Sequence, residues 1–149
     1  MLSRCNTILF VGILGSAALG TAPATASAQP LDIAAKSCGF EFTWSTPMVT
    51  SPQITALGFA QCDAPPDEHT LTLALEYDNH GRWENAAYRT DRSIPPGPPN
   101  YTSYETSAAC YAGKWRMSVS ILGNLRGTPF AFSDHSQPRE VPSSQCPSR

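Results

Sequence analysis

The chain has 149 residues, of which 41% are hydrophobic, and its ten basic and twelve acidic side chains give a formal net charge of −2. That length suits one domain with a modest core. The weak negative balance, with no basic cluster, excludes nucleic acid as an expected partner, and no apolar run reaches the roughly 20 residues that span a bilayer as a helix.

Met1 to Ala28 has the layout of a secretory signal peptide. Arg4 comes first, an apolar and small-residue run covers Ile8 to Leu19, and a small-residue segment closes on Ala26-Ser27-Ala28. The twelve-residue run would make about 18 Å of helix, too short to anchor the chain in a core of about 30 Å. Ala24-Thr25-Ala26 is a second cleavage candidate. Residues 1–28 are therefore read as a cleaved leader, with no membrane anchor after cleavage. Residues 29–149 are read as one secreted, extracellular domain of net charge −3.

Cleavage removes Cys5 and leaves Cys38, Cys62, Cys110 and Cys146. An even count in a small secreted chain reads as two disulfides. Cys38 and Cys62 lie symmetrically about Thr50, inside the turn-like Thr46-Pro-Met-Val-Thr-Ser-Pro52. Cys110 and Cys146 are centred near Thr128, just past the turn Gly123-Asn-Leu-Arg-Gly127. Hairpin symmetry therefore predicts 38–62 and 110–146. The gaps of 23, 47 and 35 residues contain no close pair of the kind structural zinc sites use, so no metal and no cofactor are expected.

Alternation runs through the rest of the chain. Phe40, Phe42 and Trp44 share a face. Gln53 to Cys62 sets Ile54, Ala56, Gly58 and Ala60 against Thr55, Leu57, Phe59 and Gln61. Leu71, Leu73, Leu75 and Tyr77 line up next. Asp78-Asn-His-Gly81 forms a hairpin turn, and Arg82 to Thr90 returns from it. Ile94-Pro-Pro-Gly-Pro-Pro99 is a stiff loop. Tyr101 to Thr106 is a further strand. Lys114 to Leu122 turns Trp115, Met117, Val119 and Ile121 to one side, and Thr128 to Ser133 does the same with Phe130 and Phe132. Seven half-buried strands predict an all-β, antiparallel two-sheet sandwich. This architecture loosely resembles the immunoglobulin-like sandwich. The resemblance stops at architecture, because Trp83 stands 21 residues after Cys62 and Ala108 occupies the tyrosine-corner position before Cys110. It carries no functional residue across.

Chemistry is sparser. His69 and His80 are read in loops, and Asp134-His135-Ser136 names three triad members side by side. A triad needs converging side chains rather than neighbouring letters, and no G-x-S-x-G elbow is present. The carboxylates supply many chance pairs, so no catalytic residue is assigned and the chain is not expected to be an enzyme. Tyr101 and Tyr104, beside the stiff loop, are the expected binding residues, because tyrosines on rigid loops bury area at little entropic cost. The expected function is a non-enzymatic extracellular module that binds a protein or glycan. The alternative is a secreted protease inhibitor presenting residues 46–52, with Met48 offered to the protease. Asn100-Tyr101-Thr102 is also a glycosylation sequon.

Overall fold

A computed structural model describes residues 37–149; the leader reading and Cys5 lie outside the described residues. The described residues form nine strands: β1 (Cys38–Phe42), β2 (Met48–Thr50), β3 (Gln53–Cys62), β4 (Glu68–Asn79), β5 (Arg82–Asp91), β6 (Thr102–Ala109), β7 (Gly113–Leu125), β8 (Thr128–His135) and β9 (Arg139–Val141). Among them there is no helix.

All pairings are antiparallel. In the first sheet β3 is central, with β6 along one edge and β1 and β2 end to end along the other. The second sheet runs β5-β4-β7, with β8 and β9 end to end on the far side of β7. One hydrophobic cluster joins them. Ile54, Ala56 and Ala60 of β3 and Tyr104 of β6 enter it from the first sheet, and Leu71, Leu73 and Leu75 of β4 with Trp115, Met117, Val119 and Ile121 of β7 from the second. Period-2 side chains give each sheet one apolar face, and burying both requires the faces to meet.

The two expected disulfides are present, Cys38–Cys62 and Cys110–Cys146. Cys38 stands directly opposite Cys62 in the β1–β3 ladder, as the symmetry about Thr50 requires. The hairpin is nevertheless not continuous. Residues of β1 pair in a register centred on Thr50, whereas Met48 faces Thr55 and Thr50 faces Gln53. Residues 43–47 take up the difference as a bend. Trp44 lies in that bend, 43% exposed, rather than continuing the face of Phe40. Both bridges suit an oxidising, extracellular setting.

Two-residue turns close the long hairpins. His80 and Gly81 have φ of 55° and 85°, and Arg126 and Gly127 have 53° and 80°. Positive φ at both central positions is the twist that tight hairpins require. Asp78 supports the first turn by accepting the Gly81 N–H at 2.6 Å.

Candidate functional site

The sequence-expected residues fall in different places. Tyr101 is on the surface, 59% exposed, with its ring tilted against Phe59 at 5.2 Å. Tyr104 is 1% exposed. Its ring lies 6.4 Å from Phe40 in the core, and burial pushes its phenol above the usual range. A partner cannot reach it, so the expected pair of binding tyrosines reduces to Tyr101. The reason is strand alternation: Tyr104 is in β6, opposite Gly58, on the inward face. The stiff loop is also less free than its composition suggests. Pro95 is buried, and the Pro96 carbonyl accepts the Cys62 N–H at 3.1 Å.

The three histidines do not meet on one surface. His80 is at the β4–β5 turn tip and His135 ends β8 opposite Ser118. His69 belongs to β4 rather than to a loop, and its side chain is 4% exposed. The Asp134-His135-Ser136 letters do not assemble a triad. Ser136 is buried, its Oγ accepts the Met117 N–H at 2.9 Å, and it donates to the Gln137 carbonyl at 3.1 Å. Asp134 accepts the His135 backbone N–H instead of orienting the ring. Met48, the residue offered in the inhibitor reading, is 37% exposed and starts β2, paired to Thr55 of β3.

His69 titrates under constraint. Its Nδ1 donates to the Ser93 carbonyl at 2.8 Å, while Nε2 is buried without a partner. Burial is the largest effect and lowers its pKa; the Ser93 bond and the Asp91 charge oppose this more weakly. The folded state therefore favours the neutral ring. Below the unfolded value of about 6.5, the unfolded chain binds a proton that the native chain refuses. The stability from neutral burial is full above that value. It is lost as pH falls from there through the lower folded value. The urea midpoint is expected to drop between pH 7.5 and 5, and His69→Gln should flatten that slope.

A trough of about 550 Å³ lies on the outer face of the β5-β4-β7-β8 sheet. Its position follows from alternation. With Leu71, Leu73 and Leu75 turned inward, Thr72, Ala74 and Glu76 must turn outward, and β7 places Arg116, Ser118 and Ser120 beside them. The small Ala74, Ser118 and Ser120 form a low floor. Ser133 and His135 of β8 lie along one side. Opposite Ala74 stands Tyr88, 66% exposed.

One end of the trough is a charged corner. Arg116 Nε donates to Glu76 Oε2 at 2.5 Å, and its guanidinium stacks 4.4 Å over the Trp83 ring. Both side chains are about four-fifths buried, at 21% and 16% exposure, so the pair is held in a fixed pose. At the other end the Thr72 and Thr90 hydroxyls share a 2.9 Å hydrogen bond. The β4–β5 register shift between Leu75 and Glu76 is what sets Tyr88 beside Ala74 and Asn85 beside Glu76 on this same face. Alternation in the sequence placed the outward residues of β4 and β7. The register shift leaves no periodic mark in the sequence, and the trough depends on it.

A second recess of about 300 Å³ at one end of the sandwich is lined by Tyr77, Tyr111 and Trp115. Arg149 occupies its mouth, with the guanidinium 5.4 Å from the Tyr77 ring. Comparisons with protein-family models, with curated proteins and with solved structures find no match for this chain.

Proposed function

We propose that this chain is a secreted, non-enzymatic binding module of immunoglobulin-like architecture, released by cleavage after residue 28, that holds an extracellular oligosaccharide in the β5-β4-β7-β8 trough. The observation that carries this reading is the trough's chemistry. A volume of about 550 Å³ lies within the roughly 300–1,000 Å³ of ligand clefts. Hydroxyls, a carboxylate and a fixed guanidinium supply directional polar contacts. Tyr88 is not among the lining residues, but it stands opposite Ala74 on the neighbouring strand, 66% exposed, and its ring is of the kind a sugar ring covers. A polar trough suits a hydroxyl-rich ligand better than an apolar one. The two disulfides support the extracellular assignment.

A protein partner at Tyr101 is the second reading, favoured by the exposed Tyr101–Phe59 pair on the other sheet. One experiment separates them. Amide chemical shifts are followed during titration with soluble gluco-, manno-, xylo-, galacto- and chito-oligosaccharides. The expected result is a set of shifts centred on Glu76, Tyr88, Ser118 and Ser120, with affinity reduced about tenfold, or roughly 1.4 kcal/mol, in Tyr88→Ala. Tyr101→Ala should leave that affinity unchanged. No shifts at millimolar sugar from every family, or shifts confined to the surroundings of Tyr101, would sink the trough reading.

A further inference from the structure

The recess at the end of the sandwich combines an aromatic wall with one side chain of each charge. Tyr77 of β4, Trp115 of β7 and Tyr111 of the β6–β7 connection form the wall, while Glu84 of β5 and Arg149 supply the charges. At about 300 Å³ it is smaller than the trough and shares only Asn85 with it. That volume stands at the lower bound of ligand clefts. It suits one long side chain or a small metabolite rather than an oligosaccharide.

The wall is braced. The Tyr77 hydroxyl donates to the Ala112 carbonyl at 3.1 Å, and Trp115 meets the Tyr77 ring edge-on at 5.0 Å. Gly113 has φ of 132°, and a Cβ there would stand 2.8 Å from the Tyr77 hydroxyl oxygen. Glycine therefore lets the ring lie this close to the backbone. The segment that carries Arg149 is pinned at the same point. The Ala112 N–H donates to the Pro147 carbonyl at 2.9 Å, and Cys146 is bridged to Cys110. Arg149 is thereby delivered to the recess with its guanidinium 5.4 Å from the Tyr77 ring, inside the range of a cation–π contact. Glu84 accepts a hydrogen bond from Asn79 Nδ2 at 3.1 Å. Among the described residues it joins no ion pair. The recess thus offers a π face that already holds a guanidinium, beside a carboxylate whose charge no cation engages.

We propose that this recess binds the guanidinium group of free arginine or of a peptide arginine, and that Arg149 is a resident occupant which such a ligand displaces. A guanidinium is planar and weakly hydrated, so it stacks on an aromatic face, and its fork of N–H donors matches a carboxylate. Tyr77 supplies the face and Glu84 the acceptor. An ammonium is a compact, strongly hydrated charge and gains less from the same wall. Arg149 and the ligand use one face, so their occupancies exclude each other. This site is separate from the oligosaccharide reading of the trough and does not depend on it.

The test follows the Trp115 indole and the Tyr77 and Tyr111 amides by NMR while the full chain is titrated with arginine, N-acetyl-arginine methylamide and citrulline. Arginine or its capped form should shift these signals. Citrulline, with nearly the same shape and no charge, should not. Binding of the capped form would assign peptide side chains as ligands, and binding of arginine alone the free amino acid. Arg149→Ala should raise the affinity about tenfold, as removal of an occupant that blocks the site about nine-tenths of the time would. Glu84→Gln should weaken binding about threefold. Tyr77→Leu should weaken it about tenfold, while Tyr77→Phe, which keeps the ring, should bind nearly as well. Glu84 and Arg149 lie outside the core, so their variants decide the matter even where Tyr77→Leu fails to fold. No shift at millimolar arginine with Arg149→Ala would overturn the proposal. So would equal shifts with citrulline, or an affinity unchanged in both Arg149→Ala and Glu84→Gln.

Discussion

Replacing Cys110 and Cys146 by serine together is expected to lower the unfolding free energy by about 4 kcal/mol. The bridge spans 36 residues, and closing a loop of that size removes this much chain entropy from the unfolded state. Domains of this size are stable by only about 5–15 kcal/mol, so the loss is a large share of the total. Its local consequence follows from what the bridge ties down. Cys110 follows β6 in one sheet, and Cys146 follows β9 in the other. The end segment is also held by the three-residue β9 ladder on β7, by Val141 in the core, by Arg139 donating to the Pro47 carbonyl at 3.1 Å, and by the Ala112 N–H on the Pro147 carbonyl at 2.9 Å. Denaturant titration of the double variant should show the shift in midpoint. Hydrogen exchange should show the β9 amides losing protection first. A midpoint unchanged to within the equivalent of 1 kcal/mol would refute this account.

Trp115→Ala is expected to cost about 3–5 kcal/mol, the range for truncating a large buried aromatic. Trp115 is 1% exposed in β7. Its indole N–H donates to the Tyr111 carbonyl at 2.8 Å, and its ring meets Tyr77 edge-on at 5.0 Å. Truncation therefore leaves a cavity, an unpaired Tyr111 carbonyl and an unsupported Tyr77. The Tyr77 hydroxyl donates to the Ala112 carbonyl at 3.1 Å, so the damage should reach the β6–β7 connection. Trp115→Phe keeps most of the volume but loses the indole donor, and should cost clearly less. Equal losses for the two variants, measured by urea unfolding, would show that the hydrogen bond rather than the packing dominates.

Much of this fold was legible because alternation is a local property. The bounds of β3 were readable to the residue, and the inward sets Leu71, Leu73, Leu75 and Trp115, Met117, Val119, Ile121 are the buried ones. The short β2 and β9 were not, because three residues carry too little period to detect. Tyr104 and His69 mislead for a related reason, since both stand near Pro-rich stretches. Tyr104 lies on a strand the sequence does indicate, but on its inward face, and His69 belongs to β4 rather than to a loop.

The sequence by itself determined the all-β class, the inward faces of the long strands and, through symmetry about Thr50 and Thr128, both disulfide pairings. Each of these depends on spacing along the chain. The tertiary structure alone decided which outward residues share a surface. Glu76 meets Arg116, Tyr88 faces Ala74, and His69 approaches Cys38 and Cys62. Those contacts join residues far apart in the chain. They depend on strand order, on one register shift and on which sheet covers which, and none of these leaves a periodic mark in the sequence.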